Sequence, residues 1–582
     1  MIIRRIPILG WLPQYTIALA RSDASAGLTT AVMLIPQGMA YALLAGLPPI
    51  MGLYASTFPL VLYALFGSSR QLAIGPLAMA SLLMAAGIHE MVPGGTAEQV
   101  VATAILLTLI AGASQIVMGV FRLGGLVNLL SHPVVTGFTG AAAIIIATSQ
   151  LSHVVGFPVP QGYGPFGTIG YIAANFNSSH SISIGVSLAG IMIIVGLQQY
   201  NARTQSRVPA ALVAVVVGIV SSYALDFEGN GVKVLGDIPS GMPTFNLPTY
   251  EQEAIANAIP MGVAIGLIGF MESISAAKLY ARQNRYEISA GQELVSLGMA
   301  NVAAGLFGGY TVGGALSRTA VNAQAGAKTP MANIVTAVAI ALTLLFMTPL
   351  FYYLPTPVLA SIILVAVTSL LDFSEWAHLW QVKRDDLVLL LITFSSTLFI
   401  SIEMGILVGV LASLLWLVYT TTRPDIATLG LVPDTKSYRD LAHFPEAKTY
   451  DRILILRMDA QFFFGNMNYL KDELLRRLRK VEDPVGVVLD ASSINGLDST
   501  AADMLQDLIL ELRNRNVEVF VSHVKGSVLS TMRQTGILEE LGEGHIFYEV
   551  HDAVAAAVRH RQADEAGVPH VLEDFGPSDM MD

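Results

Sequence analysis

What most constrains this chain is the recurrence, over its first 425 residues, of apolar stretches long enough to cross about 30 Å of hydrocarbon in whole or in part. They lie near 26–45, 50–66, 74–88, 100–120, 132–154, 181–198, 208–225, 256–279, 288–308, 312–324, 331–353, 356–372, 386–402 and 404–422. Lipid offers no partner to a backbone N–H or C=O, so stretches of this length must close their hydrogen bonds internally as helices. The reading is an α-helical polytopic membrane protein of about 14 spans. Composition agrees: 53% of residues are hydrophobic and 13% charged, with mean hydropathy +0.60, whereas a soluble chain carries about a quarter charged residues.

Orientation follows from basic residues, which stay on the cytoplasmic side. With the N-terminus inside, cytoplasmic loops hold Arg70, Arg122, Arg203 with Arg207, Lys278 with Arg282 and Arg285, Lys328, and Lys383 with Arg384, and Arg423 follows the last span. The outer loops hold almost none, Lys233 among Asp226, Glu228 and Asp237 being the exception. An even number of spans results, with both termini in the cytoplasm and the chain multi-pass in a cell (inner or plasma) membrane. Arg4 and Arg5 precede the proline-broken IPILGWLP, which reads as an interfacial lead-in rather than a cleavable signal.

Two segments are short and interrupted: GPLAMASLLMAAG from Gly75-Pro76, and GGYTVGGALSRTAVNAQAG from Gly308 to Gly326. They stand third and tenth, corresponding places in two halves. Transporters built from inverted repeats commonly form the substrate site from two such broken helices. Each half-helix N-terminus presents unpaired N–H groups and about half a positive charge, so two facing starts make an anion site. The bland alternative is that Gly and Pro here only permit kinks or close packing. The matched positions favour the site.

After Arg423-Pro424 the pattern becomes soluble. ILILRM (453–458), VGVVLDAS (485–492), VEVFVSHV (517–524) and HIFYEV (545–550) read as strands, separated by helical NMNYLKDELLRRLRK, TAADMLQDLILELRNRN, GSVLSTMRQTG and HDAVAAAVRHR. A small α/β domain is expected over 426–562, with an aperiodic, flexible tail over 563–582. The net charge of −11 lies largely in this part and argues against nucleic acid as a partner. Cysteine is absent, which excludes disulfides and thiolate metal sites. The histidines, among them His89, His132, His153 and His180, show no ligand spacing, so neither metal nor cofactor is expected.

These segments resemble the SulP family of anion permeases, the sulfate-permease family. The first span carries LIPQGMAYALLAGLPPIMGLYAS (34–56) and the third IGPLAMASLL (74–83). The eighth and ninth carry GFMESISAAKLYARQNRYEISAGQELVSLGMANVAAGLFGG (269–309), and the tenth GALSRTAVNAQAGAKTP (314–330). The C-terminal part resembles a STAS domain. The resemblance implies a seven-plus-seven inverted repeat over residues 1–425. Spans 1–4 and 8–11 would form a core domain and spans 5–7 and 12–14 a gate domain, moving as an elevator, in a homodimer. It maps the substrate to Gln37 and Tyr41 on the first span, Leu77 and Ala78 on the third, and Ala315, Leu316, Ser317 and Arg318 on the tenth.

The residue chemistry supports that mapping. An oxyanion accepts bonds from backbone N–H groups, the Gln37 amide and the Ser317 hydroxyl, and Arg318 adds charge beside the dipole ends. Gln37 and Tyr41 also fit plain interhelical packing. An intramembrane charge is a functional candidate by default, and for Arg318 the alternative is an ion pair with Glu272 that braces the core. Glu272 lies on a span whose Gly262, Gly266 and Gly269 permit close helix approach. It is a candidate proton carrier, because two negative charges in one low-dielectric site repel and an anion moves more readily with the protonated form. Sodium is the other coupling ion the family resemblance leaves open. Ser275 shares the Glu272 face at i+3 and is a candidate substrate ligand, with back-bonding to the preceding turn as the alternative for it and for Ser273. In the STAS-like part, Ser499, or less so Thr500, corresponds to a phosphorylated loop serine of the anti-sigma antagonists, while helix capping by Asp498 or Ser499 explains the same residues.

The expected function is therefore secondary transport of a small anion, sulfate first, by symport with protons. Bicarbonate, chloride and dicarboxylates suit the same dipole-lined pocket. Nucleobase permeases share the architecture but place acids on both the eighth and tenth spans, and the tenth here has none. A membrane sensor whose STAS domain signals to an unknown cytoplasmic partner is the reading from another class. No nucleophile–base constellation or phosphate-binding glycine loop points to an enzyme.

Overall fold

The computed structural model describes residues 7–124, 131–160, 163–204, 208–368, 370–371 and 373–566. Arg4, Arg5, Arg207 and residues 567–582 of the expected tail lie outside the described residues. The chain divides into two compact units, Met1–Ser413 and Leu414–Asp582.

Every apolar segment delimited above contains a helix. The first half of the membrane unit runs α1 (Ile17–Leu44), α2 (Pro49–Tyr54), α3 (Phe58–Phe66), β1 (Ile74–Gly75), α4 (Ala78–Met91), α5 (Ala97–Val120), α6 (His132–Val155), α7 (Pro165–Ala174), α8 (Ser181–Thr204) and α9 (Ala210–Ala224). The second half runs α10 (Gln252–Gln283), α11 (Ala290–Leu306), β2 (Gly313–Gly314), α12 (Leu316–Gln324), α13 (Met331–Phe346), α14 (Thr356–Thr368), α15 (Phe373–Val382), α16 (Arg384–Phe399) and α17 (Ile402–Thr422). Among the described residues eight helices are long and apolar enough to cross a membrane unaided, and α4, α9 and α13 are shorter apolar helices. The unit is thus a multi-pass helical membrane protein.

In lipid the hydrophobic effect does not press helices together, so small residues that allow backbone contact do that work. A Cβ on Gly112 of α5 would stand 2.7 Å from the Gly298 carbonyl of α11, and one on Gly298 would stand 2.7 Å from the Gly112 carbonyl. Gly27 of α1 is as tightly set, its Cβ position 2.4 Å from the Ala332 carbonyl of α13. On α10, Gly262 and Gly266 press on α5 at Ile110 and Ala111, as expected, but Gly269 meets nothing within 4 Å. Its carbonyl instead accepts the Ser273 hydroxyl.

The two short spans differ from the expectation at their starts. Residues 74–75 and 313–314 are not helical; they pair antiparallel as β1 and β2, Ile74 opposite Gly314 and Gly75 opposite Gly313. Pro76 bars helix for the residue before it. The glycines let the strands meet where side chains will not fit: a Cβ on Gly313 would lie 2.6 Å from Leu77 Cδ1, and one on Gly314 2.5 Å from Leu72 Cδ1. The helices begin only at Ala78 and Leu316.

The C-terminal unit holds a six-stranded sheet whose strands stand in the order Tyr438–Asp440, Ile426–Leu431, Ile453–Met458, Gly486–Asp490, Glu518–Ser522 and Ile546–Phe547. The elements are β3 (Ile426–Leu431), β4 (Tyr438–Asp440), β5 (Ile453–Met458), α18 (Met467–Leu478), β6 (Gly486–Asp490), α19 (Ser499–Arg513), β7 (Glu518–Ser522), α20 (Gly526–Gln534), α21 (Ile537–Leu541), β8 (Ile546–Phe547) and α22 (Val550–Ala566). Strands β5 to β8 are parallel, and β3 is antiparallel to β4 and β5. The four predicted strands form the parallel block. The β3–β4 hairpin was not foreseen, because its strands are short and broken by Gly430 and the Pro433-Asp434 turn. Helix α22 continues to Ala566, four residues into the expected tail, tied to the sheet by Arg452 to Asp564 at 3.0 Å.

Candidate functional site

The crossing of β1 and β2 brings the starts of α4 and α12 together. Neither start has a side-chain cap: Leu77 precedes α4 and Ala315 precedes α12, both in extended backbone with no capping hydrogen bond. The first N–H groups of both half-helices are therefore available to an outside acceptor.

Arg318, in the first turn of α12, is fully buried. Its Nε donates to the Ala73 carbonyl at 3.1 Å, Nη1 to the Pro76 carbonyl at 3.2 Å and to Gln37 Oε1 at 3.5 Å, and Nη2 to the Gly313 carbonyl at 3.0 Å. One planar fork thus ties the backbone flanking β1 to that of β2, and its charge sits behind the two helix starts rather than between them. No ion pair within 4.0 Å joins it to Glu272 among the described residues, so carbonyls stand where the alternative reading of Arg318 put a bracing carboxylate. A Cβ at Gly75 would lie 2.8 Å from Leu34 Cδ1 and 3.3 Å from the Arg318 Cζ, which keeps that position open for the guanidinium.

In front of the helix starts is a cavity of about 700 Å³. One wall carries Gln37 and Tyr41 of α1, Leu77 and Ala78, Glu272 of α10, and Ala315 and Ser317; the other carries Ile194 of α8, Ala210 of α9, and Ile362 and Val365 of α14. It continues past Gln198 and Asn201 on one side and Gln324 on the other. The volume equals that of roughly 20 waters, room for a hydrated small ion. Gln37 donates from Nε2 to the Tyr41 hydroxyl at 3.2 Å, four residues apart on one helix face. Glu272 Oε2 is buried with no hydrogen-bond partner.

Seven of the expected binding residues therefore share one wall with Glu272 or stand directly behind it: Gln37, Tyr41, Leu77, Ala78, Ala315, Ser317 and, behind, Arg318. Leu316 and Ser275 do not line the cavity. Leu316, the first residue of α12, is half exposed. Ser275 bonds back to the Met271 carbonyl at 2.7 Å and is exposed. The serine that matters to the crossing is Ser273, whose Oγ accepts the Gly314 N–H at 2.7 Å.

A polar set outside the predicted site residues shapes β2. Asn301 of α11 accepts the Val312 N–H at 2.7 Å and the Thr311 hydroxyl at 3.1 Å, and donates to Gln115 Oε1 of α5 at 2.9 Å; Gln115 in turn donates to the Gly266 carbonyl at 2.7 Å. Buried amides in otherwise apolar spans are the signal that marks such sites. Around β1, Asn333 accepts the Ile74 N–H and Thr319 the Ala73 N–H. In the C-terminal unit, Ser499 is the exposed first residue of α19, and Asp498 is its cap, accepting the Ala501 N–H at 2.7 Å.

The sulfate permease family matches residues 21–393, and the STAS domain matches residues 444–553. Sulfate transporter 4.1, chloroplastic, from Arabidopsis thaliana is 36% identical, the alignment covering 97% of this chain and 84% of the relative. Probable sulfate transporter 4.2 from the same plant is 37% identical over 92% of this chain and 81% of its own. Among solved structures, the murine solute carrier 26 family member A9 anion transporter in the inward-facing state has the same fold, with TM-score 0.88 at 24% identity over 96% of this chain and 94% of that one. The transmembrane domain of the cyanobacterial bicarbonate transporter BicA follows with TM-score 0.59 at 24% identity, covering 69% of this chain and 98% of that one. The chain belongs to the sulfate permease family and carries a C-terminal STAS domain.

Proposed function

We propose that this protein is a secondary active transporter of small anions, with sulfate as its substrate and protons as the coupling ion. The observation that carries the reading is the pair of uncapped helix starts facing one cavity beside a buried guanidinium and a half-buried carboxylate, Glu272, whose Oε2 is buried without a hydrogen-bond partner. The N–H groups of α4 and α12 offer bonds to an oxyanion, Ser317 and Gln37 add side-chain donors, and Arg318 supplies charge through the first turn of α12. Glu272, on the same wall, carries the proton: an anion entering next to an ionised carboxylate meets strong repulsion in a low dielectric, and protonation removes it. The relatives named as sulfate transporters favour sulfate over bicarbonate, chloride or dicarboxylates.

In this reading the wall made by α1, α4, α10 and α12 belongs to a core that moves against the gate helices α8, α9 and α14, carrying the site across as an elevator within a homodimer of seven-plus-seven repeats. The cavity reaches Asn201 and Ala202, next to Arg203 on the basic and therefore cytoplasmic side. The STAS domain receives a cytoplasmic input, with Ser499 at the exposed start of α19 as its modification point, and the protein sits in the cell membrane with both termini inside.

The test is uptake of labelled sulfate, bicarbonate and a dicarboxylate into proteoliposomes with an imposed proton or sodium gradient. Sulfate uptake driven by an inward proton gradient is expected. Uptake driven only by sodium, or of bicarbonate alone, contradicts the assignment. Absence of flux together with anion-dependent binding by the STAS domain favours a sensor.

A further inference from the structure

We infer that Glu293 and Asp23, two buried carboxylates outside the cavity, are positioning residues that hold the two half-helices in one register by a reciprocal exchange between the halves of the membrane unit. This inference rests on the anion site proposed above. Both side chains are fully buried, and neither touches the cavity. Glu293, near the start of α11 in the second half, takes up the loop that leads from α3 to β1 in the first. Its Oε1 accepts the N–H groups of Ser68 and Ser69 at 2.7 and 3.0 Å and the Ser68 hydroxyl at 2.6 Å, while Oε2 accepts the Tyr63 hydroxyl at 2.8 Å. Asp23, near the start of α1 in the first half, takes up the loop that follows α12 in the second. Its Oδ1 accepts the N–H groups of Lys328 and Thr329 at 2.7 and 3.1 Å, and Oδ2 accepts the Thr329 hydroxyl at 2.6 Å and the Tyr15 hydroxyl at 3.2 Å.

The two loops are also joined to each other. Gln71 donates to the Ala327 carbonyl at 3.3 Å, its own carbonyl accepts from Asn322 of α12 at 2.8 Å, and its Oε1 accepts the Tyr286 hydroxyl at 2.8 Å. From Gln71 it is three residues to β1, and from Ala327 the chain runs back through α12 to β2. Each carboxylate thus satisfies two adjacent backbone donors, of which those of Ser69 and Thr329 are buried, and does so across 224 to 306 residues of sequence. The anion site depends on where two helix starts stand relative to one another, and these contacts set that separation at the far ends of the segments that carry them.

The role is geometric, which gives it a distinctive ranking of variants. Glu293→Gln keeps an Oε1 for the two N–H groups and the Ser68 hydroxyl, and its amide can face a Tyr63 hydroxyl turned to accept. Glu293→Asp keeps the charge but is one methylene too short to reach. In proteoliposomes the Asp variant is expected to raise the KM for sulfate about tenfold, with Vmax per folded protein kept, the consequence of losing about 1.4 kcal/mol of register. The Gln variant is expected to stay within about threefold of wild type. The chain has no cysteine, so spin labels at the exposed Arg70→Cys and Lys328→Cys read the separation of the loops by dipolar broadening without reference to transport. Broadening weaker in Glu293→Asp than in wild type and Glu293→Gln supports the inference. Any other ranking overturns it: Gln impaired with Asp intact would mean that the charge or a proton matters, and both indifferent would mean a purely structural residue. A wild type that fails to take up sulfate defeats the transport reading while leaving the label measurement to decide this one.

Discussion

Replacing Arg318 by lysine keeps the charge and removes the fork. In the native site three nitrogens of one plane reach three carbonyls, those of Ala73, Pro76 and Gly313, at 3.0 to 3.2 Å. An ammonium is a single nitrogen on a flexible stem and can retain one of those bonds while leaving two carbonyls short of a donor. Each lost bond from a charged donor is worth about 1.5–3 kcal/mol, so the gross loss is about 3–6 kcal/mol. A carbonyl has two lone pairs and tolerates the loss of one bond better than an orphaned donor does, so about 2 kcal/mol is taken as the net cost to the register of β1 on β2. If only the registered form binds, apparent sulfate affinity falls about 30-fold. The assay is concentration-dependent sulfate uptake in proteoliposomes at a fixed proton gradient, with thermal unfolding in detergent measured alongside. An Arg318→Lys protein with wild-type KM and wild-type unfolding temperature would refute the argument that the fork, rather than the charge alone, builds the site.

Three further outcomes are expected. Glu272→Gln should transport sulfate without responding to a proton gradient, read as uptake against internal pH; a response equal to wild type would remove Glu272 from coupling. Gly298→Ala should lower the unfolding temperature, since its Cβ would stand 2.7 Å from the Gly112 carbonyl and 2.8 Å from the Ile116 nitrogen, backbone that cannot step aside; overpacking of this kind costs about 1–3 kcal/mol, and an unchanged transition would contradict the packing described for α5 and α11. In the STAS domain, burial works against the charge of Glu518, yet His545 at 3.1 Å and Arg513 at 2.8 Å hold its carboxyl down at about 2, from the usual 4.5. A depressed carboxyl stabilises the fold above its unfolded value and ceases to as pH falls from about 4.5 to about 2. Protection of β7 in the full chain, followed by hydrogen exchange corrected for intrinsic rates, should therefore fall over that window in wild type and not in Glu518→Gln.

Much of this molecule is legible in its sequence because lipid permits so few backbone solutions. Apolar length alone located the helices of the membrane unit other than α7 and α15, and Gly75-Pro76 and the glycines of 308–314 marked the two interrupted spans. Hydropathy could not show that the interruptions pair with each other as strands, since that pairing joins residues far apart in the chain. The i+3 spacing of Ser275 from Glu272 is compatible with a shared face, but its hydroxyl makes the other bond weighed for it, back to the Met271 carbonyl. Arg318 was expected to meet either substrate or Glu272; its actual partners are carbonyls, which no side-chain pattern announces. Asp23 and Glu293 passed unnoticed for a related reason. Each stands near the mouth of a span, where an acidic residue is ordinarily solvated, and only the folded structure shows it closed over by a loop from the other half. The β3–β4 hairpin escaped because short strands broken by glycine and proline carry little periodicity.

The central claim, that the anion is held at the facing starts of α4 and α12 with Arg318 behind them, is tested most directly by equilibrium binding of labelled sulfate to purified protein. The measurement compares wild type with a variant combining Ser317→Ala and Arg318→Ala, each preparation checked for fold by its unfolding transition. Saturable binding in wild type and its loss, or a weakening of at least about 30-fold, in a folded double variant is the predicted result. Full affinity in that variant would contradict the site.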